Sequence, residues 1–335
     1  MNFTKFPRRA FLQGATPIER MENLSKVLGK GVNLFVKRDD LLPGAGGGNK
    51  TRKLEFCLAD ALEQGADTII TCGAVQSNHC RLTASWCCKE KLECHLVLEE
   101  RVKGSYKPEA SGNNFLFDLL NVKSISVVPG GSDMMAEMGK KLDELKLQRK
   151  KPYIVPGGAS NAIGALGYVA CAEEIMNQLN VAHLGIDHIV VPSGSAGTHA
   201  GMVAGMVGTN ANIPVSGVNV SRPKDVQEGI VHKLVEETAR KLDIDTTIPR
   251  EAVVCYDQYV GPGYSLPTDS MVEAVRLFAR HEAILLDPVY SGKAAAGLID
   301  LVRSGHFSRG ANILFLHTGG SPALYAYLPS FRKGS

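Results

Sequence analysis

Two glycine-rich stretches lead into residues whose side chains could carry out chemistry. The first, GAGGGNKTRK, runs from Gly44 to Lys53 and places Lys50 and Lys53 one turn apart on a predicted helix. The second, PSGSAGTHAG at 192–201, follows the β-branched run HIVV. Its small residues would let backbone N–H groups approach an anion at a helix N-terminus. Either stretch is therefore a candidate phosphate site.

The second stretch is the better phosphate site. A nucleotide-binding P-loop needs glycine directly before its lysine, and Asn49 occupies that position. The segment KRDDLLPGA also separates the first stretch from any apolar strand. A tight turn without a ligand is the alternative interpretation of the second stretch. We predict that five of its residues hold a phosphate: Gly194, Ser195, Ala196, Gly197 and Thr198. Lys50 is then free to react.

A reactive lysine near a phosphate loop is typical of pyridoxal phosphate chemistry, in which lysine forms a Schiff base and the ring withdraws electrons. The turn after the run TIITCG offers Asn78 as a donor to the ring oxygen and Ser77 as a substrate contact, although either residue could simply cap a helix. Hydroxyl groups follow other predicted strands. Tyr264 and Tyr290 are candidate proton carriers, and Thr318 is a candidate partner for the ring nitrogen.

The elements that must position these residues alternate along the chain. Short apolar or β-branched runs, separated by helix-length segments, occur at 66–73, 94–100, 124–129, 153–158, 188–194, 214–221, 253–257, 284–287 and 312–320. Such alternation predicts an α/β protein with parallel sheets, and two series of strands predict two doubly wound domains. Sites in such sheets collect at the carboxyl ends of strands.

One segment illustrates an ordinary core helix. From Asp133 to Lys151, helical spacing predicts that Met135, Met138, Leu142 and Leu145 are buried.

Composition excludes several classes of protein. The 335 residues carry a net charge of +3, from 37 basic and 34 acidic side chains, which is no electrostatic footprint for nucleic acid. No run approaches the roughly 18 apolar residues of a membrane span, and no secretory signal is evident, so we expect a cytoplasmic protein. The eight cysteines show no C-x-x-C spacing. They are expected to be buried thiols, and no metal site is predicted.

Together these motifs resemble the fold type II pyridoxal-phosphate enzymes, whose fold is that of the tryptophan synthase β subunit. They resemble specifically the D-cysteine desulfhydrase and 1-aminocyclopropane-1-carboxylate deaminase family. The resemblance covers nearly the whole chain, through KRDD, GGNKTRKLEF, GAVQSNH, GGASNAIGALGY, SGSAGTHAG, PGYSLP, LLDPVYSGK and HTGGSPALYAY.

The resemblance implies roles for individual residues. Lys50 is similar to the Schiff-base lysine and Asn78 to the ring-oxygen partner, with Lys53 as a charge near the phosphate. The implied substrate contacts are Ser77, Asn78, His79, Tyr264 and Tyr290. The family architecture implies a small α/β domain, 52–162, inserted into a large domain formed by 1–51 and 163–335, in a homodimer.

Two positions depart from the deaminase pattern, which has glutamate after the second tyrosine and leucine before the final glycine pair. In this chain Ser291 takes the place of the glutamate and Thr318 the place of the leucine, and both are predicted to contact the cofactor through a hydroxyl group. The chain therefore resembles the desulfhydrase branch, and the resemblance implies β-elimination to pyruvate, ammonia and a sulfur product. Lys50 would be the base, with Ser77 or one of the tyrosines, Tyr264 and Tyr290, assisting.

The substrate has several candidates. D-cysteine desulfhydrase is favoured, followed by L-cysteate sulfo-lyase and then the cyclopropane deaminase; a noncatalytic anion-binding protein is a hypothesis of another class. The stretch at 100–107 could place cations near a sulfonate, but an exposed loop with ordinary charges is the favoured interpretation. Arg81, near the Ser77 turn, would suit either substrate class.

Overall fold

The computed structural model describes residues 1–211, 213–245 and 247–332. The strands are β1 (Ile18–Arg20), β2 (Asn33–Lys37), β3 (Thr68–Ala74), β4 (Glu93–Glu100), β5 (Ser124–Pro129), β6 (Pro152–Val155), β7 (His188–Ser193), β8 (Val215–Asn219), β9 (Val254–Tyr256) and β10 (Asn312–Leu316). The helices are α1 (Glu22–Leu28), α2 (Lys50–Glu63), α3 (Asn78–Glu90), α4 (Asn113–Leu119), α5 (Met134–Leu147), α6 (Ala162–Ala182), α7 (Gly197–Gly208), α8 (Lys224–Lys241), α9 (Asp269–Glu282), α10 (Ser291–Arg303), α11 (Ser321–Leu324) and α12 (Leu328–Phe331).

The larger sheet has six strands in the order β1-β2-β10-β7-β8-β9. β1 pairs antiparallel with β2 at one edge, and the other described pairings are parallel. Successive residues of a strand point to opposite faces. Val191 and Leu314 accordingly belong to one apolar cluster, while Val190 and Phe315 belong to another on the opposite face. Burial on both faces explains the continuous apolar runs of these strands.

The smaller sheet has four parallel strands in the order β5-β4-β3-β6. Ile69 packs with Leu96 on one face, and Ile70 packs with Val97 on the other. The predicted α/β fold with two parallel sheets is therefore confirmed. The strands of the smaller sheet lie between residues 68 and 155. The domain boundaries at 51/52 and 162/163 remain a prediction, and α2 runs across the first of them.

Two strand assignments from the sequence need correction. The run at 284–287 was predicted as a strand but forms none, although Ile284 and Leu286 are buried. The Asp287 backbone N–H and carboxylate bond to the turn that begins α10, so the segment bends instead of pairing. Conversely, β1 and β2 were not predicted. Both strands are short, and the β2 sequence NLFVK is flanked by polar residues, so its pattern does not stand out as a strand.

The core of α5 is smaller than its periodicity predicts. Met138 and Leu145 are buried, as predicted, whereas Leu142 is only half-buried. Met135 was predicted to be buried, but it is 56% exposed. It lies in the first turn of α5, where the helix faces a cavity rather than the sheet.

Candidate active site

A cavity of about 310 Å³ lies at the carboxyl ends of β3 and β7, where the two sheets face each other. It is lined by most of the predicted site residues: Lys50, Ser77, Asn78, His79, Gly194, Ser195, Ala196, Thr198, Tyr264, Tyr290 and Thr318. Three predicted residues, Lys53, Gly197 and Ser291, do not line it. Residues far apart in sequence thus share one site, as expected for parallel sheets.

The loop before Lys50 is held by close backbone packing. Gly47 has a φ of +66°, and a Cβ at this position would overlap the carbonyl oxygen of Asp40. Glycine is the residue that tolerates both the left-handed conformation and this contact. The loop therefore delivers Lys50 to the start of α2 in a defined position.

A buried ionic cluster holds the other side of the same helix turn. The Arg52 guanidinium donates from Nε to Asp39 Oδ2 at 2.8 Å and from Nη1 to Glu174 Oε2 at 2.8 Å. Arg52 is 1% exposed and Asp39 fully buried. Two carboxylates on a planar guanidinium give charge-assisted hydrogen bonds of fixed geometry. They orient α2, and with it Lys50, two residues away.

The Lys50 amine is buried and partly neutral. Its Nζ donates to Asn49 Oδ1 at 2.9 Å, and Asn49 Nδ2 donates to Thr198 Oγ1 at 2.9 Å. Burial lowers the pKa of Lys50 to about 8; the carboxylate of Asp287 opposes this shift, and the charge of Arg81 adds to it. A lowered pKa keeps more of the amine in its nucleophilic form.

The predicted phosphate loop forms the N-terminus of α7. Ala196, directly before the helix, has a φ of +78°. The Gly197 N–H donates to Ser160 Oγ at 3.1 Å, and that hydroxyl donates to Ser195 Oγ at 2.8 Å. The first N–H groups of a helix lack partners within it and carry partial positive charge. This end of α7 is therefore suited to an anion.

Lys53 lies behind this loop rather than in the cavity. Its Nζ donates to the Gly158 carbonyl at 3.1 Å, and a Cβ at Gly197 would lie 2.8 Å from Nζ. Burial lowers the pKa of Lys53 well below its ordinary value, and the charge of Lys50 adds to the effect. A phosphate at the loop would favour the charged form again.

Ser77 caps α3, so the capping alternative is realised. Its Oγ accepts from the Cys80 N–H at 3.1 Å, while the residue still lines the cavity. Asn78 is oriented by a residue that the sequence did not single out. The Nδ2 of Asn113 donates to Asn78 Oδ1 at 2.9 Å, which leaves the Asn78 Nδ2 as a donor without an acceptor among the described residues. A ring oxygen would satisfy it.

His79 is buried and neutral. Its Nε2 is 2.7 Å from Thr71 Oγ1, and that hydroxyl donates its hydrogen to the Val155 carbonyl. Nε2 therefore carries the proton, and Nδ1 is a buried acceptor without a partner in the described chain. Burial lowers the pKa of His79 well below its usual range, and Lys50 and Lys53 add to the shift. Its role as a substrate contact remains a prediction.

The two tyrosines form a pair. Their hydroxyl oxygens are 3.0 Å apart, and the Lys50 Nζ lies 5.8 Å from the ring centroid of Tyr290. Burial raises the pKa of both Tyr264 and Tyr290. Both are protonated near neutral pH, so they can donate protons.

Ser291 and Thr318 are placed differently. The Ser291 hydroxyl donates to Asp287 Oδ1 at 2.8 Å and does not reach the cavity, whereas Thr318 lines it. The Asp287 carboxylate also accepts from the backbone N–H groups of Val289, Tyr290 and Ser291. Even so, burial raises the pKa of Asp287.

Several residues that line or support the cavity were missed by sequence reasoning. They are Asn49, Asn113, Ser160, Arg222 and Asp287. Asn49 served only as an argument against a P-loop, and Ser160 lies in the motif GGASN. Arg222 lines the cavity and donates from Nη1 to the Gly194 carbonyl at 2.7 Å. Four of them, Asn49, Asn113, Ser160 and Arg222, contact a residue that is remote in sequence, so their signal is spatial. Asp287 lies in the motif LLDPVYSGK and contacts the residues that follow it.

Within 1–211, 213–245 and 247–332, no helix has both the length and the apolar character needed to span a bilayer. In the same ranges, no group of three or more His, Cys, Asp or Glu side chains is arranged to bind a metal.

The contacts fit pyridoxal phosphate. An anion site, an unpaired amide donor and a hydroxyl surround a partly neutral lysine. A Cβ at Gly194 would lie 2.8 Å from the Tyr290 ring, so glycine keeps this wall of the cavity open. Each of these features matches a part of the cofactor.

Comparison with known proteins supports this assignment. Residues 10–319 match the family model described as pyridoxal-phosphate dependent enzyme. An ACC deaminase homologue of known crystal structure has 36% sequence identity to this chain and a TM-score of 0.87. The match covers 98% of this chain and 96% of the homologue. A hydrogen sulfide-producing enzyme from Fusobacterium nucleatum shares the fold, with 19% identity and a TM-score of 0.64; the match covers 94% of this chain and 97% of that enzyme. A fungal L-serine ammonia-lyase from Rhizomucor miehei also shares it, with 22% identity and a TM-score of 0.67, over 96% of this chain and 98% of that enzyme. The chain belongs to the pyridoxal-phosphate-dependent enzymes of fold type II.

Proposed function

We propose that the protein is a carbon–sulfur lyase that eliminates the sulfur substituent of a three-carbon amino acid and yields pyruvate, ammonia and a sulfur product. The observation that carries this proposal is the buried, partly neutral Lys50 amine in one cavity with an anion-binding loop and a tyrosine pair. The cofactor itself is expected from the family.

Bound pyridoxal phosphate would supply an aldehyde for Lys50 and an electron-withdrawing ring. The N-terminus of α7, with Ser195 and Thr198, would hold its phosphate. Asn78 would donate to its ring oxygen, and Thr318 would bond to its ring nitrogen. A hydroxyl at that nitrogen does not fully protonate the ring, which suits elimination at the β-carbon.

The chain's own residues would move the protons. Lys50, once released as an amine, is the base for the α-proton, and its Nζ lies over the Tyr290 ring, 5.8 Å from the ring centroid. Ser77 and the first N–H groups of α3 would bind the α-carboxylate, because a helix N-terminus favours an anion. Both tyrosines are protonated and can donate to a leaving group.

The substrate is a choice among related amino acids. Ser291 and Thr318 replace the glutamate and leucine of the deaminase pattern, which favours elimination of a sulfur group over ring opening. D-cysteine and L-cysteate are the two main candidates. The 36% identity to an ACC deaminase homologue keeps the cyclopropane acid as a third.

Parallel assays of 2-oxo acid and ammonia release test this proposal, because the sulfur amino acids would yield pyruvate whereas the four-carbon cyclopropane acid would yield 2-oxobutanoate. We expect turnover of at least one sulfur amino acid among D-cysteine, L-cysteine and L-cysteate, at a rate above that with the cyclopropane acid. Sulfide and sulfite assays then identify the leaving group. Tight binding without release of a 2-oxo acid or ammonia from any of these compounds would instead support the noncatalytic anion-binding hypothesis.

The homodimer implied by the resemblance is part of the same proposal. Light scattering of the purified protein at several concentrations tests it, with a mass near twice the 35.9 kDa of one chain as the expected result.

A further inference from the structure

Arg101 occupies a position that its surrounding sequence does not suggest. The stretch at 100–107 was interpreted as an ordinary exposed loop, yet Arg101 lines the same cavity as Lys50. Both Arg101, whose side chain is 36% exposed, and its neighbour Lys103 reach solvent, but Lys103 does not line that cavity. One cation of this loop therefore lines the cavity, and the other does not.

The Arg101 side chain is held in place at the cavity. Its Nε donates to Glu99 Oε2 at 2.6 Å, and the Gly131 N–H donates to Glu99 Oε1 at 2.9 Å. The guanidinium carbon lies 4.1 Å from the ring centroid of Tyr264, a cation–π contact. Neither Nη group has a protein acceptor in the described residues. The guanidinium is thus fixed through one side while its two terminal NH₂ groups stay available.

The position of Arg101 relative to the reacting groups is defined by a chain of contacts. Arg101 stacks on Tyr264, Tyr264 bonds to Tyr290, and Tyr290 faces Lys50. The start of α3 already provides N–H groups for the α-carboxylate of a substrate. The Nη groups of Arg101 are therefore available to a second negative group on the same substrate.

Resting on the proposed lyase function, we propose that Arg101 is a specificity-determining residue that selects amino acids whose β-substituent carries a fixed negative charge, such as a sulfonate. A planar guanidinium matches two oxygen atoms of such a group with parallel hydrogen bonds. A thiol offers no pair of oxygen acceptors. L-Cysteate is accordingly preferred over cysteine of either hand, which reverses the order favoured by the motifs.

The test compares two substrates that differ in the charge of the β-substituent, L-cysteate and β-chloro-L-alanine. Values of kcat/KM are measured for the wild type, Arg101→Gln, Arg101→Lys and the matched control Lys103→Gln. For Arg101→Gln we expect a loss of about 10- to 100-fold with L-cysteate, as for a charged hydrogen bond. With β-chloro-L-alanine we expect a change of no more than about threefold, and Lys103→Gln should resemble the wild type with both.

Arg101→Lys should recover only part of the L-cysteate activity, because an ammonium is a point charge without the planar fork. Equal losses with both substrates would overturn the proposal, since they would assign Arg101 a general structural role. Unchanged L-cysteate turnover in Arg101→Gln would overturn it as well.

A binding measurement separates this proposal from the proposed function. Calorimetry with 3-sulfopropanoate, which has a carboxylate and a sulfonate but cannot eliminate, is performed on cofactor-loaded wild type and Arg101→Gln. We expect affinity about 10-fold or more weaker in the variant. Absence of pyruvate from every substrate would contradict the lyase function alone. Equal affinity of the wild type and Arg101→Gln for 3-sulfopropanoate would contradict the role of Arg101.

Discussion

The two glycine-rich loops look alike in sequence, but they present different groups. The loop at 44–48 leads into α2, whose first turn carries Lys50, Arg52 and Lys53 and no acidic residue. The loop at 194–196 leads into α7, which begins Gly-Thr-His and has neither Lys nor Arg in its first turn. The first loop presents a side chain, and the second presents backbone N–H groups.

The difference shows that the N-terminus of a helix can serve either of two purposes. The partial positive charge of a helix N-terminus attracts an anion when the first turn is neutral. When the first turn instead carries buried lysines, the same charge disfavours their protonated forms. Burial and neighbouring cations act in the same direction on Lys50 and Lys53. One helix end therefore favours a neutral amine, and the other favours a bound phosphate.

The largest expected effect comes from removing the reactive side chain of the first loop. Lys50→Ala should lower kcat by on the order of 10²- to 10⁴-fold, because it removes the general base. It should also abolish the covalent cofactor adduct found by mass spectrometry after borohydride reduction. The comparison variant Lys53→Met should keep the adduct and bind the cofactor more weakly. An adduct that persists in Lys50→Ala would show that another lysine reacts.

A smaller effect is expected from crowding the second loop. A Cβ at Gly197 would lie 2.8 Å from Lys53 Nζ and 2.9 Å from Ser160 Oγ. Such overpacking costs roughly 1–3 kcal/mol, so Gly197→Ala should weaken cofactor affinity by about 10- to 100-fold. Fluorescence titration of the apoprotein with pyridoxal phosphate measures this affinity.

Gly139→Ala is the matched control for Gly197→Ala. Gly139 lies inside α5, and a Cβ there meets no atom within 4 Å. This change should leave cofactor affinity unaltered and stabilise the helix by about 0.5–1 kcal/mol. Equal affinities of the two variants would contradict the phosphate role of the second loop.

The pH dependence of cofactor uptake gives the smallest and most specific effect. With a pKa of about 8, the Lys50 amine is neutral in about one molecule in ten at pH 7. The neutral fraction rises with pH, so the rate of cofactor uptake by the apoprotein should rise and level off above about pH 8. An ordinary lysine would continue to gain reactivity up to about pH 10.4.

Arg81 provides the control for this pH profile. Its charge lowers the pKa of Lys50, so Arg81→Gln should move the midpoint upward, while Arg81→Lys, which keeps the charge, should move it less. The rate is followed by the growth of visible cofactor absorbance. An unshifted midpoint in Arg81→Gln would show that Arg81 does not lower the pKa of Lys50, and burial would remain the main cause of the low pKa.

Much of the site was predictable because its residues lie in compact motifs at strand ends. Ser77, Asn78 and Thr198 lie in the turns that come after predicted strands, and all of them line the cavity. Ser291 shows the limit of this reasoning. It follows Tyr290 immediately, but the first turn of α10 directs its hydroxyl to Asp287 rather than into the cavity.

Arg101 and Met135 show a second limit. Both lie in segments whose local pattern indicated an ordinary surface loop or core helix. Only the approach of the smaller sheet to the larger one makes them walls of the cavity. Sequence periodicity reports which side of an element is apolar, but it carries no information on which element lies opposite.

By itself, the sequence determined the alternation of strands and helices, the presence of a lysine and a separate phosphate loop, and the family. These depend on local spacing and residue type. The tertiary structure decided that Lys53 lies behind the phosphate loop, how far the pKa of the Lys50 amine falls, and which arginine stands beside the tyrosines. Burial and charge proximity are set by elements that meet across the two sheets, so they follow only from the assembled fold.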